Sequence, residues 1–428
     1  MGSGVSKSQQ TRPVIGYSED GNTSEAQVSY YTKREEYNST GTPATSKLNE
    51  NGPTISAVVM SAKNMAALKK KEKEEARENI LLEHPELADA MDSVRDYMQE
   101  ISNKRDDDVT RKNMNYNTRQ TLDQIYSLYF DCEEQEHKRI LGDQLSQYNA
   151  GQICTDYLKV LSEDGINTPT KGYDADCLYT VRSVCWNYSD ASLEFAAELG
   201  RTGSFSIFIS DIVTFKSQLD DDFIRRTIIE PSVAILHNCA KAPGSKKYFT
   251  SANALDAIIP YTNVTYQELK MVAMMTLSYI IEEKDNDKIS ADGSMIEFIL
   301  MYLKESINGI DHKYEGFSAH EIVSGIMHLA SNDDNKLKIV KQGVLPLLVE
   351  LLQDGNDAEK KICAKTVWVL SFKDENKPLI QEQENMMELL KELAGKSGKA
   401  KDAAAGALWV LANVERLEKK RSKNENKG

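Results

Sequence analysis

The side chains best able to carry nucleophilic or metal chemistry in this chain are six cysteines and six histidines, and their spacing argues against both kinds. Cys132, Cys154, Cys177, Cys185, Cys239 and Cys363 contain no C-x-x-C pair, so zinc and dithiol motifs are absent from the sequence. Cys185, Cys239 and Cys363 fall in apolar helical runs, where a free thiol serves as a small core residue. Reduced thiols fit a cytoplasmic chain. His320-Glu321 begins as an H-E-x-x-H zinc helix would, but Ser324 stands where the second histidine belongs. His237 sits in an apolar run and reads as a core or groove residue. Asp285-Asn286-Asp287-Lys288-Ile289-Ser290 opens like a calcium loop, yet Ile289 replaces the fifth-position oxygen ligand and Ser290 replaces the glycine of the sharp turn. No phosphate-cradling G-x-x-x-x-G-K-[ST], dinucleotide G-x-G-x-x-G or G-x-S-x-G elbow occurs. The sequence predicts a protein without a catalytic constellation, a metal or a cofactor.

One modification motif stands out. Met1-Gly2-Ser3-Gly4-Val5-Ser6 fits the N-myristoylation pattern, with Gly2 as the acceptor once Met1 is removed. A single myristoyl chain binds membranes only marginally. Lys7 and Arg12 add little positive charge, and no cysteine lies near for palmitoylation. The pattern therefore predicts a weak, reversible lipid anchor at the cytoplasmic face of a membrane. No secretory signal and no bilayer-length apolar run is present, so the sequons at Asn22, Asn38, Asn187 and Asn263 read as chance matches. The formal charge of −14 over 428 residues opposes a general nucleic-acid surface.

The remaining distinctive side chains are tryptophans and asparagines, and a repeat positions them. Leu329-Ala330, Leu370-Ser371 and Leu411-Ala412 follow one another at intervals of 41 residues, a period typical of stacked helical units. Within one unit, Asn335 to Lys341 reads as a short helix that Gly343 breaks. Val344 to Leu352 reads as a second helix, with Pro346 tolerated in its first turn. Gln353 to Asn356 is a turn, and Ala358 to Phe372 is a third helix. Val367-Trp368-Val369-Leu370 is apolar all round, so both sides of that helix must be covered by neighbours. This is the physics of a solenoid.

Val367-Trp368-Val369-Leu370-Ser371 and Leu408-Trp409-Val410-Leu411-Ala412-Asn413 resemble the third helix of armadillo repeats. Gly343-Val344-Leu345-Pro346 resembles their break between first and second helices. The resemblance implies an all-α, right-handed armadillo-type solenoid whose concave groove holds a protein partner, as an extended segment or a helix. In importin-α and β-catenin relatives an asparagine at the position of Asn413 clamps peptide backbone, since an amide both donates and accepts. A tryptophan one turn earlier walls a pocket. Here the asparagine position reads Asp190, Asn238, Tyr279, Ser331, Phe372 and Asn413. The tryptophan position reads Trp186, Ala234, Met275, Met327, Trp368 and Trp409. Expected groove residues are thus Trp186, Asp190, Asn238, Tyr279, Ser331, Trp368, Phe372, Trp409 and Asn413. Two asparagines in six make no continuous ladder, which departs from the importin pattern. The Gly-Ala-Leu-Trp run ending at Trp409 is also similar to armadillo arrays that precede TIR modules in some invertebrate signalling proteins.

Upstream, residues 1–54 have few aliphatics and no period and read as a disordered tether. Residues 55–163 read as a helical leading segment of degenerate repeats. Pro85 opens a helix there, with Leu87, Met91, Val94, Met98 and Ile101 on one face and Arg105-Asp106-Asp107-Asp108 as a polar turn beyond it. Residues 164–414 carry the armadillo-type repeats, and the step of 52 from Leu277 to Leu329 places an insertion near Asn308 to Gly316. Residues 415–428 read as a charged cap or tail. The functional expectation is a non-enzymatic scaffold or adaptor, cytoplasmic and reversibly tethered through Gly2. Two alternatives are an importin-like cargo receptor and an array that regulates a separate signalling enzyme.

Overall fold

The computed structural model describes residues 67, 70–72, 74–162, 173–282 and 293–412. The tether at 1–54 with Gly2, the Asp285 to Ser290 loop, Asn413 and the tail at 415–428 lie outside the described residues. No described helix is long and apolar enough to cross a membrane.

The fold is an all-α solenoid. Helix α1 (Pro85–Arg111) and α2 (Tyr116–Asp131) lead into three-helix units. The first unit is α3 (Gln135–Gln147), α4 (Ala150–Val160) and α5 (Tyr173–Ala191). The second is α6 (Leu193–Thr202), α7 (Ser204–Thr214) and α8 (Glu230–Ala240), the last entered through a π-helical stretch at Arg225–Ile229. The third is α9 (Lys246–Ser251), α10 (Ala254–Ile258) and α11 (Gln267–Ile280). Helices α12 (Ser294–Asn308) and α13 (Ala319–Leu329) close the fourth. The fifth is α14 (Asp333–Lys341), α15 (Val344–Asp354) and α16 (Asp357–Leu370). The last is α17 (Asn376–Glu382), α18 (Met386–Gly395) and α19, helical over 401–412.

Third helices pack on third helices in sequence order, α2 on α5, then α8, α11, α13 and α16. Second helices form the other layer, with α4 on α7 and α7 on α10, and further along α12 on α15 and α15 on α18. One continuous apolar core runs between them from Leu87 to Leu411. The double-sided burial inferred for third helices holds most fully in α8, where every residue from Pro231 to Ala240 is buried. The unit α3–α5 straddles residue 163, where the sequence pattern divided leading segment from repeats. The leading helices join the stack directly, because α2 packs on α5.

The corner between first and second helices has a repeated local cause. It demands a left-handed residue, a conformation that favours glycine and, at small cost, asparagine. The chain supplies Asn149 (φ 57°), Gly203 (83°), Asn253 (51°), Gly343 (92°) and Asn385 (61°). Three of the third helices start on side-chain caps: Asn115 accepts from Thr118 N, Ser318 from Glu321 N, and Asn356 forms a capping box with Glu359. The inserted residues lie between α12 and α13. They form a 3-10 turn at Ile310–His312 and a short hairpin, β1 (Lys313–Tyr314) with β2 (Phe317–Ser318).

Arg105 to Asp108 is not a turn. Helix α1 continues to Arg111, with Lys112 as its left-handed cap. Buried Asp108 accepts from Asn115 Nδ2 (2.8 Å), Thr118 Oγ1 (2.9 Å) and Tyr157 OH (3.0 Å). The acid that looked solvated is the hub joining α1, α2 and α4, and its bonds offset its desolvation.

Candidate partner-binding face

The exposed face of the third-helix layer carries the candidate site. On α5, the face reads Asp176, Tyr179, Trp186 and Asp190, one stripe at helical spacing. Tyr179 is 56% and Trp186 40% exposed. On the neighbouring α2, Arg119, Asp123, Tyr126 and Phe130 form a parallel stripe, and Phe130 is 58% exposed. Thr180 donates to Asp123 Oδ1 (2.7 Å) and Arg119 reaches Asp176 (3.3 Å), so the two stripes are locked side by side. Tyr126 meets Phe130 edge to face with centroids 5.0 Å apart. Burial, and then the neighbouring Tyr179 hydroxyl, pushes the Tyr126 phenol above its ordinary range.

The middle of the layer is occupied by a polar bridge. Glu321, in the first turn of α13, sits 3.0 Å from His237 Nε2 and accepts from Lys241 Nζ (2.9 Å). His237 is in the last turn of α8 and Lys241 caps its end, so the bridge passes over α11. Lys241 also meets Asp190 of α5 at 3.6 Å. A carboxylate only accepts, so His237 donates from Nε2 and is the Nε2–H tautomer; its buried Nδ1 has no partner. Burial would raise the Glu321 carboxyl, but the Lys241 ammonium and the His237 bond outweigh it and hold Glu321 well below the usual carboxylate range. Burial alone would lower Lys241; Glu321 and Asp190 outweigh it and raise the ammonium. His237 is lowered, by burial first and then by Lys241. Burial, aided by Lys246, takes His328 down to about 4. His237, His328 and Lys241 are therefore two neutral rings and one cation at neutral pH.

Tyr279 lies under this bridge. Its half-buried ring is flanked by His237 at 6.1 Å and His328 at 4.7 Å. The hairpin insert closes the same region. Phe317 stands 6.1 Å from His237, and His312 Nδ1 is 3.0 Å from Glu359 Oε1 at the start of α16.

The expected groove residues are thus not one continuous row. Trp186, Asp190 and Trp409 stand exposed, Trp409 at 53%. Asn238 is buried, and its amide donates to Trp186 O and Ser189 Oγ (both 3.3 Å), so it staples α8 to α5 rather than facing outward. Trp368 is half-buried against Gly406 of α19: a Cβ there would come within 2.6 Å of the indole. Ser331 and Phe372 fall just past the ends of α13 and α16, Ser331 exposed and Phe372 half-buried. Asn413 lies outside the described residues. Sequence reasoning missed Tyr126, Phe130 and Tyr179, although their i, i+4 and i+7 spacing toward Trp186 was there to read. It also missed the His237–Lys241–Glu321 bridge, which joins residues 80 and 84 positions apart. Among the described residues no group of His, Cys, Asp and Glu is placed to hold a metal ion, and all six cysteines are free thiols.

No family model matches the chain, and no curated protein does. Among solved structures it is similar to an engineered protein at 14% identity, covering 69% of this chain and 64% of the other, with a TM-score of 0.46. It is also similar to a designed armadillo repeat protein at 16% identity, covering 62% of this chain and 99% of the other, TM-score 0.41. A third similar structure comes from work on a phosphorylation switch in the interaction between cadherin and beta-catenin (15% identity, 69% and 49% covered, TM-score 0.42). The chain spans 64% of the first of these and 49% of the last. At such identities a likeness speaks of fold alone, and at these TM-scores the solenoid assignment rests on the chain's own helix packing. That packing, three helices per unit with a left-handed corner after the first, is an armadillo-like repeat fold.

Proposed function

We propose that this protein is a non-enzymatic scaffold or adaptor whose third-helix face binds a protein partner. The observation that carries the reading is the exposure of Phe130, Tyr179, Trp186 and Trp409 on third helices whose other apolar side chains mostly join the core. Large aromatics left in water at adjoining positions mark interaction surfaces. The His237–Lys241–Glu321 bridge divides that face, so the partner occupies one side of α11 rather than running the length of the array. The importin-like alternative gains nothing from Asn238, whose amide nitrogen is already spent on α5. Cytoplasmic residence with reversible membrane attachment through Gly2 completes the proposal. Photo-crosslinking in the native cell type tests the face. Benzoylphenylalanine at Trp186 or Trp409 is expected to trap a partner, and at Glu350 on the second-helix layer to trap none. Crosslinks from Glu350 alone would overturn it. Intact mass and membrane fractionation of wild type and Gly2→Ala test the anchor: an unmodified wild-type N-terminus removes it.

A further inference from the structure

In a solenoid each unit touches only its neighbours, so the bend of the stack is a sum of small rotations at successive interfaces and is easily changed. Here the third-helix side carries contacts that skip a unit. Glu321 at the start of α13 holds Lys241 (2.9 Å) and His237 (3.0 Å) at the end of α8, although α11 lies between those helices. Lys241 reaches back to Asp190 of α5 at 3.6 Å. The insert ahead of α13 extends the same path. Its Phe317 is buried, 6.1 Å from His237 of α8 and 6.1 Å from Tyr302 of α12. Its His312 Nδ1 lies 3.0 Å from Glu359 Oε1 in the first turn of α16. Glu359 is buried, and its other oxygen accepts from Asn356 N (2.8 Å), so it is fixed from both sides. Side-chain ties thus run from α5 to α16, across four third-helix interfaces.

The insert is also held away from relaxed backbone. Asp311 (φ 53°), His312 (52°) and Glu315 (46°) are left-handed although each carries a side chain, and Gly316 (80°) follows. Such residues stay there only where their surroundings hold them. The holds here are the His312–Glu359 pair and the packing of Phe317. We propose that the insert and the His237–Lys241–Glu321 bridge form a strap that fixes the bend of the stack from α5 to α16. Any motion that opens the third-helix side lengthens this path, and it must break the Lys241–Glu321 or the His312–Glu359 contact. With the strap closed, the exposed side chains of α5 and those of α16 keep a set separation. With it open, the middle of the stack flexes as an ordinary solenoid does.

Pulsed EPR distances on the full chain test this. Spin labels carried by p-acetylphenylalanine at Tyr179 and Trp409, both exposed on the third-helix side, span the strap and avoid the native thiols. The strap is opened by the triple variant Lys241→Met/His312→Gln/Glu321→Gln. Interfaces shift by about 1–2 Å each in transitions of this kind, so opening over the four of them is expected to lengthen the mean distance by about 4–8 Å and to broaden its distribution. Glu321→Gln alone keeps the shape of the side chain and is expected to change the distribution in the same direction by less. It carries the test where the triple variant loses its helical circular dichroism. Lys391→Gln, on the second-helix layer, is expected to leave the distribution unchanged. Identical distributions in wild type and in the folded strap variants would overturn the proposal. An equal shift in Lys391→Gln would overturn it as well, because removing a charge far from the strap would then suffice.

Discussion

Removing one carboxylate should break the junction of three helices. Arg182 of α5 pairs with Asp211 of α7, and its Nη1 donates to Ser232 Oγ (2.7 Å) and to Ile228 O (3.4 Å) at α8. Arg182 is 2% and Asp211 0% exposed, so water cannot replace either partner. Asp211→Ala leaves a buried guanidinium without its counter-charge, a cost of about 3–5 kcal/mol. Arg182→Met/Asp211→Leu removes both charges, and its cost falls below about 2 kcal/mol, part of it the lost stacking of Arg182 on Phe208 at 5.7 Å. In a solenoid the loss is confined to the units that share the contact. Trp186 lies one helical turn beyond Arg182 on α5, and with Trp368→Phe/Trp409→Phe it is the sole tryptophan, since the chain has three. Urea titration read by its emission should show the Asp211→Ala midpoint lowered by about 2 M for a slope near 2 kcal/mol/M. The double variant should recover more than half of that. If the single and double variants unfold at the same midpoint, uncompensated charge is not the cause and the reasoning fails.

Two further outcomes follow from the bridge and from the packing of Trp368. Glu321→Gln should lower stability at pH 7 by about 1–3 kcal/mol, because Lys241 and His237 lose a charged acceptor. The folded carboxyl titrates below its unfolded range, so its contribution is complete above about pH 4.5 and is lost as pH falls through the folded value. Urea midpoints measured from neutral pH downward should therefore fall more steeply for wild type than for Glu321→Gln, and parallel profiles would refute the bridge. Gly406→Val should cost about 1–3 kcal/mol, since its side chain must displace the Trp368 indole. An unchanged melting temperature and unchanged Trp368 emission would show that the ring is free to move.

The sequence by itself determined the repeat. The 41-residue interval, the break at Gly343 and the all-apolar third helix around Trp368 are local patterns, and local patterns set helices, corners and the need for neighbours on both sides. The same logic runs through the asparagine corners at Asn149, Asn253 and Asn385, which were harder to read because asparagine also caps helices and decorates loops. What only the tertiary structure decided is which polar side chains are spent inside. Asp108, in a run of three aspartates, looks solvated until α2 and α4 deliver Thr118 and Tyr157 to it. Asn238 looks like a peptide clamp until α5 presents Trp186 O and Ser189 Oγ. Glu321 meets Lys241 only because α13 starts over α11. These pairings depend on the offset and crossing of each helix on the one before. Small differences at each interface accumulate along the stack, and no single segment encodes their sum.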